Sequence, residues 1–127
     1  MGSKVDQKRT LVVEDNDFVR MQICRFLSDE GFETLESTNG EQALKILANS
    51  GADMAIVDVR MEPVSGFDFI SVLRGKGNMT PILVVTGDEN ADILGEATRL
   101  GVSAVLKKPV QKDRLIKSVS RILNVEN

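Results

Sequence analysis

Five times along this chain, a short run of apolar and β-branched residues is followed by a longer segment with helical periodicity. The runs predict strands at residues 9–13, 32–37, 54–57, 81–85 and 102–106. In the segments that follow them, apolar residues recur three, four or seven positions apart, which is typical of a helix with one buried face. Because strands and helices alternate regularly, we expect an α/β fold, a doubly wound parallel sheet of five strands with five helices on both faces.

Candidate caps mark where the helices begin and end. Gly31 and Gly51 follow the first two helical segments, and glycine readily adopts the left-handed conformation that closes a helix. Thr38 and Glu41 have the spacing of a capping box, which predicts that Thr38 caps the second helix. Ser65 is the predicted cap of the third.

The composition excludes several kinds of chemistry. The chain has no histidine and one cysteine, Cys24, which excludes Ser-His-Asp and Cys-His catalysis, an internal disulfide and most zinc sites. A formal net charge of −3 argues against nucleic-acid binding, because no basic field is available to displace phosphate counterions. No apolar run approaches the ~18 residues of a membrane span. We therefore expect a cytoplasmic protein without membrane or direct nucleic-acid contact.

Polar side chains follow four of the five predicted strands. Strand one delivers Glu14 and Asp15, strand three Asp58, strand four Thr86 and strand five Lys108. In an open α/β sheet, ligands bind outside the carboxyl ends of the strands, so we expect these side chains to converge there.

That combination of side chains predicts phosphoryl chemistry. Three carboxylates packed together repel one another and require a hard cation, and oxygen ligands suit Mg²⁺. A carboxylate kept ionised by the cation can attack phosphorus without a general base. Mg²⁺, the Lys108 ammonium and the Thr86 hydroxyl with backbone N–H groups can each take one phosphoryl oxygen.

At these motifs the chain resembles the response-regulator receiver domain, over about residues 9–123. The matching motifs are LVVEDN, IVDVRMEPVSG, VVTG and LKKPV, in that order. The family has a flavodoxin-like fold with strand order 2-1-3-4-5. The resemblance implies that Asp58 is phosphorylated and that Thr86 and Lys108 contact the phosphoryl group. The metal ligands that it implies are Glu14, acting mostly through water, Asp15, Asp58 and the backbone carbonyl of Arg60. A cis peptide between Lys108 and Pro109 is also implied.

The same resemblance implies partners. The phosphoryl donor is a sensor histidine kinase or a histidine phosphotransfer protein, and phosphorylation changes binding to a downstream protein target. The domain is no enzyme beyond self-phosphorylation and slow autodephosphorylation. Mixed charges around helix 4, strand 5 and helix 5 suit a homodimer there, and are equally typical of a solvated surface. We expect an N-terminal extension at 1–8, part of it resembling an expression tag, and a tail at 124–127. The sequence leaves open a stand-alone receiver or a segment of a larger regulator.

The chain departs from the family pattern at two places, and two charged residues beside the site have an open role. Pro63 falls one position late after the phosphoacceptor, which predicts an altered loop. Many receivers carry a rotating Tyr or Phe in strand five, where this chain has Val105, so we expect activation to travel through the loop after Thr86. Arg60 and Asp88 stand where receivers modulate the phosphoryl lifetime, although two solvated loop charges, paired across the site, are an equal alternative.

Three rival functions are weaker. Residues 15–17 look like the DxD start of haloacid-dehalogenase-type phosphohydrolases, but no acidic pair follows Lys108 and Asp58 would have no role. A degenerate receiver that works by contacts alone would lack the phosphoacceptor, an acidic residue or the lysine, and all are here. A flavin-binding flavodoxin would need a Gly/Thr-rich phosphate loop after strand one.

Overall fold

A computed structural model describes residues 8–88 and 90–125. Residues 1–7 of the predicted extension, residue 89, and the last two residues of the predicted tail lie outside the described residues. The strands are β1 (Arg9–Val13), β2 (Glu33–Ser37), β3 (Met54–Asp58), β4 (Ile82–Thr86) and β5 (Ala104–Lys107). The helices are α1 (Asp17–Asp29), α2 (Gly40–Asn49), α3 (Gly66–Gly75), α4 (Asp92–Arg99) and α5 (Lys112–Leu123).

All strand pairs are parallel, in the order β2-β1-β3-β4-β5, which confirms the predicted fold. Neighbouring residues of β1 point to opposite faces of the sheet. Leu11 and Val13 pack in the core that contains Phe69 of α3, whereas Val12 packs in the core that contains Ile23 of α1 and residues of α5. Two hydrophobic cores therefore hold the sheet, one on each face. Among the described residues, no helix is long and apolar enough to cross a membrane.

Three predicted strands, the second, fourth and fifth, began too early, and the second and fifth did so for one shared reason. Phe32 and Val102 each follow a glycine with positive φ, Gly31 at +90° and Gly101 at +70°. The Phe32 N–H donates to a carbonyl of α1, and the Val102 N–H donates to Ala97 of α4. An apolar residue directly after such a glycine closes the preceding helix, and the strand starts later.

The caps were predicted in part. The Ser65 side chain accepts from the Asp68 N–H at 3.1 Å, as predicted. Thr38 is wrong as the cap of α2, because Asn39 accepts from the Gln42 N–H at 2.8 Å. The Gln42 side chain in turn accepts from the Thr38 N–H at 3.0 Å. The start of α2 therefore has a pair of hydrogen bonds like those of a capping box, but they involve Asn39 and Gln42 and not the predicted Thr38 and Glu41.

Candidate functional site

Three carboxylates meet at the carboxyl ends of β1 and β3. Glu14 and Asp15 directly follow β1, and Asp58 is the last residue of β3. Because these strands are neighbours, one oxygen from each carboxylate lies within 4.8 Å of the other two. Glu14 is 1% exposed and Asp58 2% exposed, whereas Asp15 is exposed. The structure thus brings the predicted acidic residues together, with one side of the cluster open to solvent.

Lys108 contacts both buried carboxylates. Its Nζ lies 3.1 Å from Glu14 Oε1 and 3.1 Å from Asp58 Oδ1. Its backbone N–H donates to the Thr86 carbonyl at 2.8 Å, which fixes the residue against the end of β4. The Lys108–Pro109 peptide is cis, as predicted.

Burial and neighbouring charges together set the pKa values of this cluster. The pKa of Glu14 is raised to about 7, mainly by burial and then by the charge of Asp58, with Lys108 acting in the opposite direction. For Lys108, burial lowers the pKa, but the attraction of the Asp58 and Glu14 carboxylates outweighs it, so that the pKa is raised. One ammonium faces three carboxylates, and the cluster therefore carries excess negative charge.

The donor set fits a hard divalent cation such as Mg²⁺, for which carboxylate oxygens are preferred ligands. Glu14 Oε1 is buried and accepts no hydrogen bond from the described residues, since the approach of Lys108 is an ion pair without hydrogen-bond geometry. A buried carboxylate oxygen left in this state is unfavourable, and a cation would relieve it. Arg60 lies beside the cluster, because its backbone N–H donates to Asp58 Oδ1 at 3.3 Å. Its carbonyl as a metal ligand stays a prediction.

Thr86 is held by the loop that follows β4. It is 3% exposed, and its hydroxyl oxygen accepts from the Asp88 N–H at 2.9 Å. The Asp88 carboxylate in turn accepts from the Asn90 N–H at 2.9 Å and from the guanidinium of Arg60. The two charges that flank the predicted site are therefore paired, and their contact joins the loop after β3 to the loop after β4.

Gly66 is a site residue that sequence reasoning missed. A Cβ at this position would lie 2.1 Å from the backbone oxygen of Asp58, and the Gly66 N–H donates to the Val59 carbonyl at 2.9 Å. Only a residue without a side chain lets α3 begin this close to the end of β3. The available signal was a glycine directly after the helix cap Ser65.

Two departures from the family pattern lie close to the site. Val105 is half-buried in β5, opposite Val84 of β4, and packs against the core that contains Phe69. The loop with the displaced proline has a cis peptide between Glu62 and Pro63, which the sequence did not predict.

A family model described as the response regulator receiver domain matches residues 10–120. The chain therefore belongs to the response regulator receiver family of two-component signalling, and the phosphohydrolase and flavodoxin alternatives are set aside.

Curated relatives and solved structures agree with this assignment. The chain is 35% identical over 104 residues to the Regulator of RpoS of Escherichia coli (strain K12), covering 82% of this chain and 31% of that protein. It is 30% identical over 113 residues to a Cyclic di-GMP phosphodiesterase of Thermotoga maritima, covering 89% of this chain and 30% of that protein. A response regulator receiver protein from Pseudomonas putida superposes with a TM-score of 0.86 at 30% identity, covering 91% of this chain and 97% of that one. The chain thus spans about a third of the length of these curated relatives.

Proposed function

We propose that this domain is a phosphoacceptor switch, which takes a phosphoryl group on Asp58 from a sensor histidine kinase or a histidine phosphotransfer protein. The observation that carries the proposal is the position of the Asp58 carboxylate, within 4.8 Å of the Glu14 and Asp15 oxygens and 3.1 Å from the Lys108 ammonium. Burying a carboxylate beside other carboxylates costs folding free energy, even with a lysine nearby. Such an arrangement is more typical of a site of covalent chemistry than of a stabilising contact.

In the proposed reaction an Asp58 oxygen forms a bond to phosphorus while the P–N bond to the donor histidine breaks. The Lys108 ammonium then neutralises one phosphoryl oxygen, and the Thr86 hydroxyl donates a hydrogen bond to another. The chain's task is in-line positioning and charge neutralisation, as in other phosphoryl transfers.

Glu14, Asp15, Asp58 and the Arg60 carbonyl would hold Mg²⁺. The cation supplies charge neutralisation for the transferred group and lowers the repulsion among the carboxylates. Supporting this, burial and then the charge of Asp58 raise the pKa of Glu14 to about 7, although Lys108 acts in the opposite direction.

We further propose that phosphorylation changes binding to a downstream protein in the cytoplasm through movement of the loop after Thr86. A homodimer through α4, β5 and α5 stays a prediction. Glu96 and Arg99 already form an ion pair within α4, which favours a solvated surface there, and sedimentation of the phosphorylated domain tests it.

Incubation with a small acyl-phosphate donor, with and without Mg²⁺, tests the proposal by intact mass. We expect a gain of one phosphoryl group that requires Mg²⁺ and is absent in Asp58→Asn. Asp68→Asn, which removes an exposed carboxylate from α3, is the matched control and should be phosphorylated like the parent. No gain in the parent under any condition would instead favour a receiver that works by contacts alone.

A further inference from the structure

We infer that the ion pair between Arg60 and Asp88 is a latch. It holds the loop after β4, and with it the Thr86 hydroxyl, in the unphosphorylated arrangement, and it opens when Asp58 carries a phosphoryl group. The inference rests on the proposed phosphorylation of Asp58 and adds the element by which that event is sensed.

The latch acts on Thr86 through Asp88, whose backbone and side chain contact different residues. The Asp88 backbone N–H donates to Thr86 Oγ1 at 2.9 Å, while the Asp88 carboxylate is bound by the Arg60 guanidinium. A shift of the Thr86 hydroxyl towards Asp58 must either break the first contact or carry Asp88 along. As long as Arg60 binds the carboxylate, Asp88 is tethered to the opposite loop and resists that movement.

Arg60 is placed to detect the phosphoryl group. Its backbone N–H already donates to Asp58 Oδ1 at 3.3 Å, and its side chain is 73% exposed and therefore little restrained by packing. A phosphoryl group brings close to two negative charges and three acceptor oxygens, whereas Asp88 offers one charge. Guanidinium binds phosphate oxygens in a bidentate geometry, so the modified Asp58 competes with Asp88 for the same cation.

Release of Asp88 would be transmitted to α4. The Asp88 side chain accepts from the Asn90 N–H at 2.9 Å, and the Asn90 side chain accepts from the Asp92 N–H at 2.9 Å. Ala91, which stands at the N-cap of α4, makes no side-chain capping hydrogen bond. The start of this helix therefore depends on the same loop contacts that begin at Asp88.

Titration with beryllium trifluoride and Mg²⁺, a phosphoryl mimic, tests the latch by amide NMR. Asp88→Asn removes the ion pair and keeps the backbone N–H to Thr86. Because the Arg60 side of the ion pair is exposed, the pair contributes little. We therefore expect this variant to bind the mimic about two- to fivefold more tightly than the parent. Without the mimic, the amide chemical shifts of Gly87 and residues 90–92 in this variant should lie between those of the free parent and those of the parent saturated with the mimic.

Two further variants sharpen the result. Glu62→Gln removes the same charge from the rim of the site, where the Glu62 N–H donates to Asp15 at 3.4 Å, and it leaves the latch intact. It should bind less tightly than Asp88→Asn and keep the parent's loop signals. Arg60→Gln loses both the latch and the phosphoryl contact, so its affinity should fall below that of Asp88→Asn.

An Asp88→Asn variant that binds no more tightly than Glu62→Gln, or keeps the parent's loop signals, would overturn the latch while leaving the phosphoacceptor site in place. Equal affinities of Arg60→Gln and Asp88→Asn would also overturn it, because Arg60 would then make no contact with the phosphoryl group. A parent that does not bind the mimic would overturn the proposed function itself, and the latch with it.

Discussion

Arginines lie at both ends of the sheet, and their partners differ in kind. At the amino ends of β4 and β5, the half-buried Arg74 donates to four backbone carbonyls, those of Asn78, Thr80, Leu100 and Gly101. At the carboxyl ends of β3 and β4, the guanidinium of Arg60 binds the side chain of Asp88 and is mostly exposed.

The difference separates a fixed end of the fold from a movable one. The carbonyls bound by Arg74 belong to helix ends and turns, which cannot leave without local unfolding, and without the arginine they would lose hydrogen-bond partners. A carboxylate on a loop can be exchanged for a better anion at little cost. The amino end therefore stabilises the domain, and the carboxyl end has the contacts that a switch requires.

Gly66→Ala should give the largest effect, because it forces apart the end of β3 and the start of α3. The new Cβ would lie 2.1 Å from the Asp58 backbone oxygen, so β3 and α3 have to separate. We expect a loss of about 4 kcal/mol in the free energy of unfolding, together with loss of phosphorylation. Urea denaturation and intact mass measure the two effects.

Gly75→Ala is the matched control at the other end of the same helix. A Cβ there would meet nothing within 4 Å, and alanine favours the helix, so this variant should gain about 0.5 kcal/mol. Similar unfolding midpoints for the two variants would show that the close approach at Gly66 is not restrictive.

Arg74→Met tests the fixed end directly. It removes the hydrogen bonds that join the ends of α3 and α4 and keeps the apolar part of the side chain. Because charged donors to partly buried carbonyls are lost, we expect a destabilisation of about 3 kcal/mol. The phosphorylation rate of the folded variant, measured well below its melting temperature, should match that of the parent. A large fall in that rate would mean that the two ends are coupled.

The sequence predicted one end of this molecule better than the other. Period and caps are local signals, so the alternation of strands and helices and the acidic residues at the strand ends could be predicted. The strand order was implied only by the resemblance to the receiver family. The roles of Gly66 and Arg74 depend on atoms from segments that are distant in the chain, and no local pattern encodes such distances. Phe32 and Val102 were assigned to strands because an apolar residue after a glycine looks the same in a strand and in a helix cap.

The pH dependence of stability in Glu14→Gln tests how the buried charge of Glu14 affects the free energy of unfolding. The pKa of Glu14 is about 7 in the folded protein and 4.5 as its ordinary value, so the folded state binds more protons between these values. Stability from this group is therefore present below about pH 4.5 and is lost as pH rises through about 7. In chelator at pH 8, the variant should exceed the parent by about 3 kcal/mol in the free energy of unfolding, and the advantage should vanish towards pH 4.5.

Magnesium provides the control for that experiment. A cation that binds the folded state stabilises it, so adding Mg²⁺ at pH 8 should raise the parent's midpoint more than the variant's. If the parent and Glu14→Gln instead show parallel stability profiles across this pH range in chelator, burial of the Glu14 charge is not a significant destabilising factor.

Arg60→Ala should have the smallest effect on folding and a specific effect on the phosphorylated state. Its side chain is 73% exposed and binds one loop carboxylate, so the urea midpoint should stay at the parent's value. Once Asp88 releases it, the guanidinium should lie against the phosphoryl oxygens and hinder water. We therefore expect the variant to lose its phosphoryl group a few-fold faster than the parent. Intact mass, followed over time after the donor is removed, measures this rate. Arg114→Ala on α5 removes the same positive charge and is the control. If the phosphoryl group has the same lifetime in the parent and in Arg60→Ala, Arg60 and Asp88 are solvated loop charges. Arg60 and Arg74 would then differ in their exposure to solvent and not in function.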